Sequence, residues 1–148
     1  MYRNVQACVQ TPTEGLTPLF HCSLGVKQGC PLSPTLFGLY IDLLESLLVR
    51  NIHMTHAPEL DGVQITCLLY ADDIVILSRA PIGLQASLDM LHTFCDWQGL
   101  TVNMKKTQVV VFNDCSHLAT YMAGEQFQYM GTQLDKVEQY CYLGIVFP

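Results

Sequence analysis

The chain has 148 residues, half of them apolar and 14% charged, which is the composition of one folded domain and excludes a disordered or fibrous chain. Its net charge is −6 with seven Lys and Arg in all, too few to hold a nucleic-acid backbone by its own phosphate contacts. A mean hydropathy of +0.26 asks for a large core or for apolar surface that meets a partner.

Residues 10–18 (QTPTEGLTP) read as a turn or loop from their Pro, Gly and Thr content. Leu19 to Leu24 predicts a short strand, and Gly25 to Pro34 a loop held by two Gly and two Pro. Ser33 is a candidate N-cap with Pro34 at the first helical position. Phe37, Tyr40, Ile41, Leu44, Leu47 and Leu48 then make a helical stripe, which predicts a helix ending near Arg50-Asn51. The stretch from His53 to Gly62 reads as a connection.

Val63 to Tyr70 and Ile74 to Leu77 are strand patterns separated by Ala71-Asp72-Asp73. They predict a hairpin around residues 63–78 with acidic residues at its tip. Pro81 opens a second helix with Leu84, Leu88, Leu91 and Cys95 on one stripe and Gly99 as its stop. Trp97 reads as core packing beside that stripe. Thr107 to Phe112 is a strand, and residues 118–147 suggest short strands turning at Ala123-Gly124 and Gly131. The order predicts an α+β fold, two helices covering one face of a mostly antiparallel sheet.

No stretch is long and apolar enough to span a bilayer, and no secretory signal is visible. The seven cysteines contain no C-x-x-C pair, so reduced thiols and an intracellular setting, nuclear or cytoplasmic, are expected. His53 and His56 have helical spacing but no placed third ligand and read as surface histidines.

Asp72-Asp73 is the candidate for chemistry. An acidic turn is common in itself. Two carboxylates at a tight tip also suit a hard divalent cation such as Mg²⁺, which takes oxygen ligands and substrate phosphates. Adjacent side chains point apart, so the two are expected to act differently. A two-metal site needs a further carboxylate.

Tyr70-Ala71-Asp72-Asp73 resembles the Y-x-D-D box of reverse transcriptases. Gly25-Val26-Lys27-Gln28-Gly29-Cys30-Pro31-Leu32-Ser33-Pro34 is similar to the motif preceding that box in non-LTR, LINE-like retrotransposon polymerases. Gly99-Leu100-Thr101-Val102-Asn103 with Lys106-Thr107 resembles the family's G-L-x-x-N-x-x-K-T segment. Tyr142-Leu143-Gly144 resembles the primer-grip hairpin. The four motifs stand in the family's order over nearly the whole chain.

The resemblance implies RNA-templated DNA synthesis by two-metal nucleotidyl transfer, with Mg²⁺, or Mn²⁺ in its place, as cofactor. RNA template, DNA primer and dNTP would be the partners. Asp72 would be the main metal ligand and Asp73 a supporting one. Tyr70 and Ala71 would line the site beside the primer end. Gln28 and Gly29 would contact the incoming nucleotide and template. Lys106 would face the triphosphate, and Tyr142, Leu143 and Gly144 would support the primer strand. From the residues themselves, Asn103 is equally a turn former, Lys105-Lys106 a solvated pair, and Tyr142 and Leu143 core.

The family's first catalytic Asp, in an F-D-like strand before the Q-G loop, has no counterpart here. Glu14 is the one acidic residue ahead of that loop. The expectation is therefore a central palm fragment without fingers, first-Asp strand or thumb, inactive alone. The alternative is a non-catalytic α+β remnant that serves as an interaction module.

Overall fold

The computed structural model describes residues 5–13, 15–22, 25–27, 29–112 and 124–147. The chain forms two units, residues 1–41 and 42–148, divided inside the first long helix.

In the first unit, β1 (Gln6–Ala7) pairs antiparallel with β4 (Phe20–His21), and β2 (Gln10–Thr11) pairs with β3 (Gly15–Leu16). The predicted 10–18 loop is therefore a small hairpin. Thr17 secures its base: its N–H donates to the Val9 carbonyl and its Oγ1 accepts the Val9 N–H, both at 2.9 Å. Of the strand expected over residues 19–24, Phe20–His21 is a strand, and residues 23 and 24 lie outside the described residues. The helix α1 (Ser33–Arg50) begins at Ser33 itself. Its hydroxyl donates to the Lys27 carbonyl at 2.6 Å and so ties the Gly-Pro loop to the helix start.

The second unit starts with the rest of α1, where Leu44 and Leu48 are fully buried. The stretch from His53 to Gly62, expected as a connection, contains most of a short helix α2 (Ile52–Thr55) and a strand β5 (Glu59–Leu60). β5 pairs with β6 (Val63–Gln64) through an Asp61-Gly62 turn. The predicted hairpin follows: β7 (Cys67–Tyr70) against β8 (Asp73–Ile76), antiparallel and in register from Cys67↔Ile76 to Tyr70↔Asp73. The buried Cys67 thiol is pushed above its ordinary value, first by burial and then by the Glu45 and Asp42 carboxylates of α1.

The helix α3 (Pro81–Gln98) fits its sequence pattern. Proline needs no N–H at the first turn. At the far end Gly99 takes φ +67°, its N–H donates to the Asp96 carbonyl, and Leu100 N–H donates to the Cys95 carbonyl at 2.8 Å. That is the left-handed stop a glycine allows. Leu88, Leu91, Phe94 and Cys95 are buried, with Phe127, Tyr129, Leu134 and Val109 in the same core. α3 packs on α2 and on β10 (Gln128–Tyr129).

β10 pairs with β11 (Thr132–Gln133) around Met130-Gly131. β12 (Asp135–Val137) runs parallel to β9 (Gln108–Val110), and β13 (Tyr140–Tyr142) pairs antiparallel with β14 (Ile145–Phe147). The turn expected at Ala123-Gly124 falls partly outside the described residues.

The α+β class holds, but the expected single sheet does not. Among the described residues the strands form seven two-stranded ladders, six antiparallel and one parallel. Strands of two to four residues give each ladder few hydrogen bonds, and side-chain packing supplies the rest. Trp97 is a second correction: it is 75% exposed, not core. Leu143, also read as core, is 49% exposed at a turn tip. Among the described residues no helix is long and apolar enough to cross a membrane.

Candidate active site

The site is built on the β7–β8 hairpin. Its turn has two residues, Ala71 and Asp72, so Asp73 is the first residue of β8. Cross-strand partners share a face, which puts Asp73 with Tyr70 and Leu68 with Val75 on one side. The other side carries Cys67, which is buried, while Leu68 and Tyr70 are exposed. The hairpin thus turns a thiol inward and a tyrosine and a carboxylate outward. Asp72 at the tip and Asp73 beside it are both exposed.

Ala71 sits at φ +51°, in the left-handed region. The other two-residue turns of this unit, Asp61-Gly62, Met130-Gly131 and Leu143-Gly144, each place a glycine at positive φ. The acidic turn has Asp72 in place of that glycine, and Ala71 holds the same φ that Asp61, Met130 and Leu143 hold at the first turn position, a backbone region that costs a non-glycine residue about 1–2 kcal/mol.

The β13–β14 hairpin stands near this tip. Tyr142, half-buried, has its phenol pushed above the ordinary value, first by burial, then by the Asp73 carboxylate, then by Tyr140. Leu143 and Gly144 form its turn at φ +51° and +81°. Phe147 at its other end meets Phe112 edge to face, ring centroids 6.1 Å apart.

Lys106 stands on a turn organised by Asn103. Asn103 Oδ1 accepts the Lys105 N–H at 3.2 Å, and its carbonyl accepts Lys106 N–H, Thr107 N–H and Thr107 Oγ1 at 3.0–3.1 Å. Asn103 is a turn former. Lys105 and Lys106 are exposed and line an open groove of about 320 Å³ with Gln108, Gln139, Tyr140 and Cys141.

Gly29 belongs to the first unit, exposed in a turn at φ +76°. Gln28 and Glu14 lie outside the described residues. His53 and His56 are both exposed, and among the described residues no three His, Cys, Asp or Glu side chains cluster as metal ligands. The sequence reading missed Gln139 and Tyr140 as neighbours of the lysines. Only the pairing of β9 with β12 brings them together, and nothing local in the sequence announces that pairing.

The fold and the tip define an α+β unit that displays two carboxylates on a tight hairpin, with an aromatic hairpin beside it. A family profile described as reverse transcriptase (RNA-dependent DNA polymerase) matches residues 5–147. The chain belongs to the reverse transcriptase family. It is similar to the retrovirus-related Pol polyprotein from type-1 retrotransposable element R2 of Nasonia vitripennis, 32% identical over 136 residues. It is likewise similar to the Pol polyprotein from type-2 retrotransposable element R2DM of Drosophila melanogaster, 31% identical over 128 residues. Each match covers 83% of this chain and 12% of the relative. The transposon TX1 149 kDa protein of Xenopus laevis is 25% identical over 107 residues, 72% of this chain and 8% of its own length. The non-LTR retrotransposon reading of the Gly25–Pro34 motif holds.

Proposed function

We propose that this chain is the palm portion of an R2-like reverse transcriptase and takes part in RNA-templated DNA synthesis. The observation that carries the reading is the Tyr70-Ala71-Asp72-Asp73 turn, with both carboxylates exposed at the hairpin tip.

The donor chemistry suits the cofactor that the family implies. Asp72 and Asp73 offer hard oxygen ligands, and Mg²⁺ is commonly held by one or two carboxylates plus substrate phosphates. When bound, two such ions would stabilise the attacking and leaving oxygens of an in-line displacement. In that reaction a primer 3′-oxygen forms a bond to the α-phosphorus of a dNTP. The bond from that phosphorus to its bridging oxygen breaks, pyrophosphate leaves, and the hydroxyl proton passes to solvent. Asp72 supplies the main ligand and Asp73 the second. Lys106 delivers a proton to the departing pyrophosphate. Tyr70, Ala71, Tyr142, Leu143 and Gly144 support the primer end, and Gln28 and Gly29 meet nucleotide and template.

This chain alone is inactive in our reading, because two carboxylates leave the ions short of protein ligands. Positioning and charge stabilisation account for nearly all of phosphoryl-type catalysis. The test is primer extension on an RNA template with Mg²⁺ or Mn²⁺, using this chain and a longer polypeptide that contains it. The longer protein should extend the primer and lose that activity in Asp72→Ala. The chain alone should not extend. Extension that survives Asp72→Ala would refute the site, and extension by the chain alone would refute the inactivity.

A further inference from the structure

The helix α3 has a second stripe, on the side away from its core. At about 3.6 residues per turn, Ile82, Ala86, Met90, Thr93 and Trp97 fall within about 80° of arc, opposite the Leu88 face. Ile82 is 73% and Trp97 75% exposed, one near each end of the helix, and Thr93 is exposed between them. Ala86 and Met90 are half-buried. The stripe runs for about 22 Å, roughly four turns. Asp89 and Asp96, both exposed, line one edge of it two turns apart. Among the described residues no Lys or Arg pairs with either carboxylate, and Asp89 Oδ1 accepts only the neutral amide of Gln85. An apolar stripe with a tryptophan at one end and uncompensated charge along one edge is the face of a helix that meets a partner.

We propose that this stripe docks an amphipathic helix of a partner protein whose apolar face is edged by Lys or Arg two turns apart. Charge complementarity decides the occupant. Basic side chains at that spacing stand one above the other on a helix and meet Asp89 and Asp96 together. A second copy of the chain does not supply them. α3 holds no Lys or Arg, and in an antiparallel pair its acidic edges would face each other. The same edge repels phosphate, so nucleic acid and anionic lipid do not suit the stripe. Trp97 is the anchor, a large rigid side chain of the kind that dominates interface energies. This docking role does not rest on the polymerase reading.

Trp97 is the only tryptophan of the chain, so its emission reports on this face alone. The experiment titrates the full chain with two synthetic helical peptides that share one leucine stripe, edged by lysines in the first and by glutamates in the second. The leucine–lysine peptide should shift the Trp97 emission to the blue and protect it from acrylamide quenching. The leucine–glutamate peptide should do neither. Ile82→Ser, read by the same emission, should weaken binding about ten-fold. Trp97→Ser, read by the anisotropy of the labelled peptide, should weaken it by about ten-fold or more. Asp96→Lys should weaken the lysine peptide about three- to ten-fold and strengthen the glutamate peptide. All three side chains are exposed, so the thermal melts should match the parent and show an intact fold. An equal response to both peptides overturns the proposal, as does binding that leaves the Trp97 emission unmoved. So does an affinity unchanged in both Ile82→Ser and Trp97→Ser. A blue shift that grows with the concentration of the chain alone would put a second copy on the stripe, and one caused by phosphatidylcholine vesicles would put a lipid surface there. Either result overturns the partner helix.

Discussion

The side-chain amide of Gln85 on α3 pairs with the backbone of Gln128 in both directions. Its Nε2 donates to the Gln128 carbonyl at 2.9 Å, and its Oε1 accepts the Gln128 N–H at 3.0 Å. Asp89 Oδ1, one helical turn on, also accepts from Nε2 at 2.9 Å. A glutamine thus stands, among the described residues, where a neighbouring strand would pair with β10 on this side. Gln85→Ala should cost about 1–2 kcal/mol, the worth of one or two exposed hydrogen bonds. Gln85→Glu should cost at least as much, because a carboxylate oxygen would face the carbonyl that Nε2 now satisfies. Urea melts measure both, and faster amide exchange at Gln128 would locate the loss. Melts unchanged by Gln85→Ala would show that the pairing contributes nothing net.

Two glycines that look alike in the sequence should respond oppositely to alanine. A Cβ on Gly83, in the first turn of α3, would run into the Thr55 carbonyl and stand 2.6 Å from Ser78 Oγ. That serine is already committed: its hydroxyl donates to the same Thr55 carbonyl at 2.7 Å. Gly83→Ala should destabilise by about 1–3 kcal/mol, as overpacking does. Gly38, in the middle of α1, has nothing within reach of a Cβ. Gly38→Ala should stabilise by about 0.5–1 kcal/mol through helix propensity. Thermal melts of the pair decide it, and a stabilising Gly83→Ala would mean that α2 and α3 separate readily.

Stability should fall in alkali. The Cys95 thiol and Tyr129 phenol share a hydrogen bond in the core, and both are pushed up, in each case mainly by burial. The His92 ring meets Tyr129 edge to face at 5.7 Å and closes the pocket further. The fold favours the neutral forms, so the unfolded chain releases these protons first. Their contribution is complete below the ordinary thiol value of 9.0 and is lost as pH rises towards the folded values. The urea midpoint should be lower near about pH 10 than near about pH 8. Tyr129→Phe should lower stability at the milder pH and make the alkaline decline shallower. An equal decline in that variant would place the titration elsewhere.

Helical parts of this fold were legible because their signal is local. The Leu84, Leu88, Leu91, Cys95 stripe and the flanking Pro81 and Gly99 specify α3 almost to the residue. The same stripe should have placed Trp97. Nine residues separate it from Leu88, about 180° around a helix, so it falls on the solvent face however apolar it is. The strands were harder. β9 and β12 lie 25 or more residues apart and pair parallel, an arrangement no local alternation encodes. The acidic tip was legible as residues and as a hairpin. The nearness of Tyr142 to Asp73 was not, since it depends on how two separate hairpins pack.

The backbone at that tip should respond to substitution at Ala71. Ala71 holds φ +51° beside the two carboxylates, as Asp61, Met130 and Leu143 do at the first position of the other hairpin turns of the second unit, and Asp72 stands where those turns have glycine. Glycine reaches that backbone region freely but loses more chain entropy on folding, and the two effects oppose each other. Relief of the left-handed strain is the larger, about 1–2 kcal/mol. Ala71→Gly should therefore leave stability unchanged or raise it by up to about 1 kcal/mol. Gly144→Ala, which adds a second left-handed non-glycine residue at φ +81° to a turn that already holds Leu143 at +51°, should lower stability by about 1–2 kcal/mol. Paired urea melts give both numbers. A marked loss in Ala71→Gly would show that the Ala71 methyl packs usefully and that the turn is not strained. A gain would mean that a cheaper turn was open to this hairpin. The alanine would then be kept for how it aims Asp72, as strain held at a functional site would require.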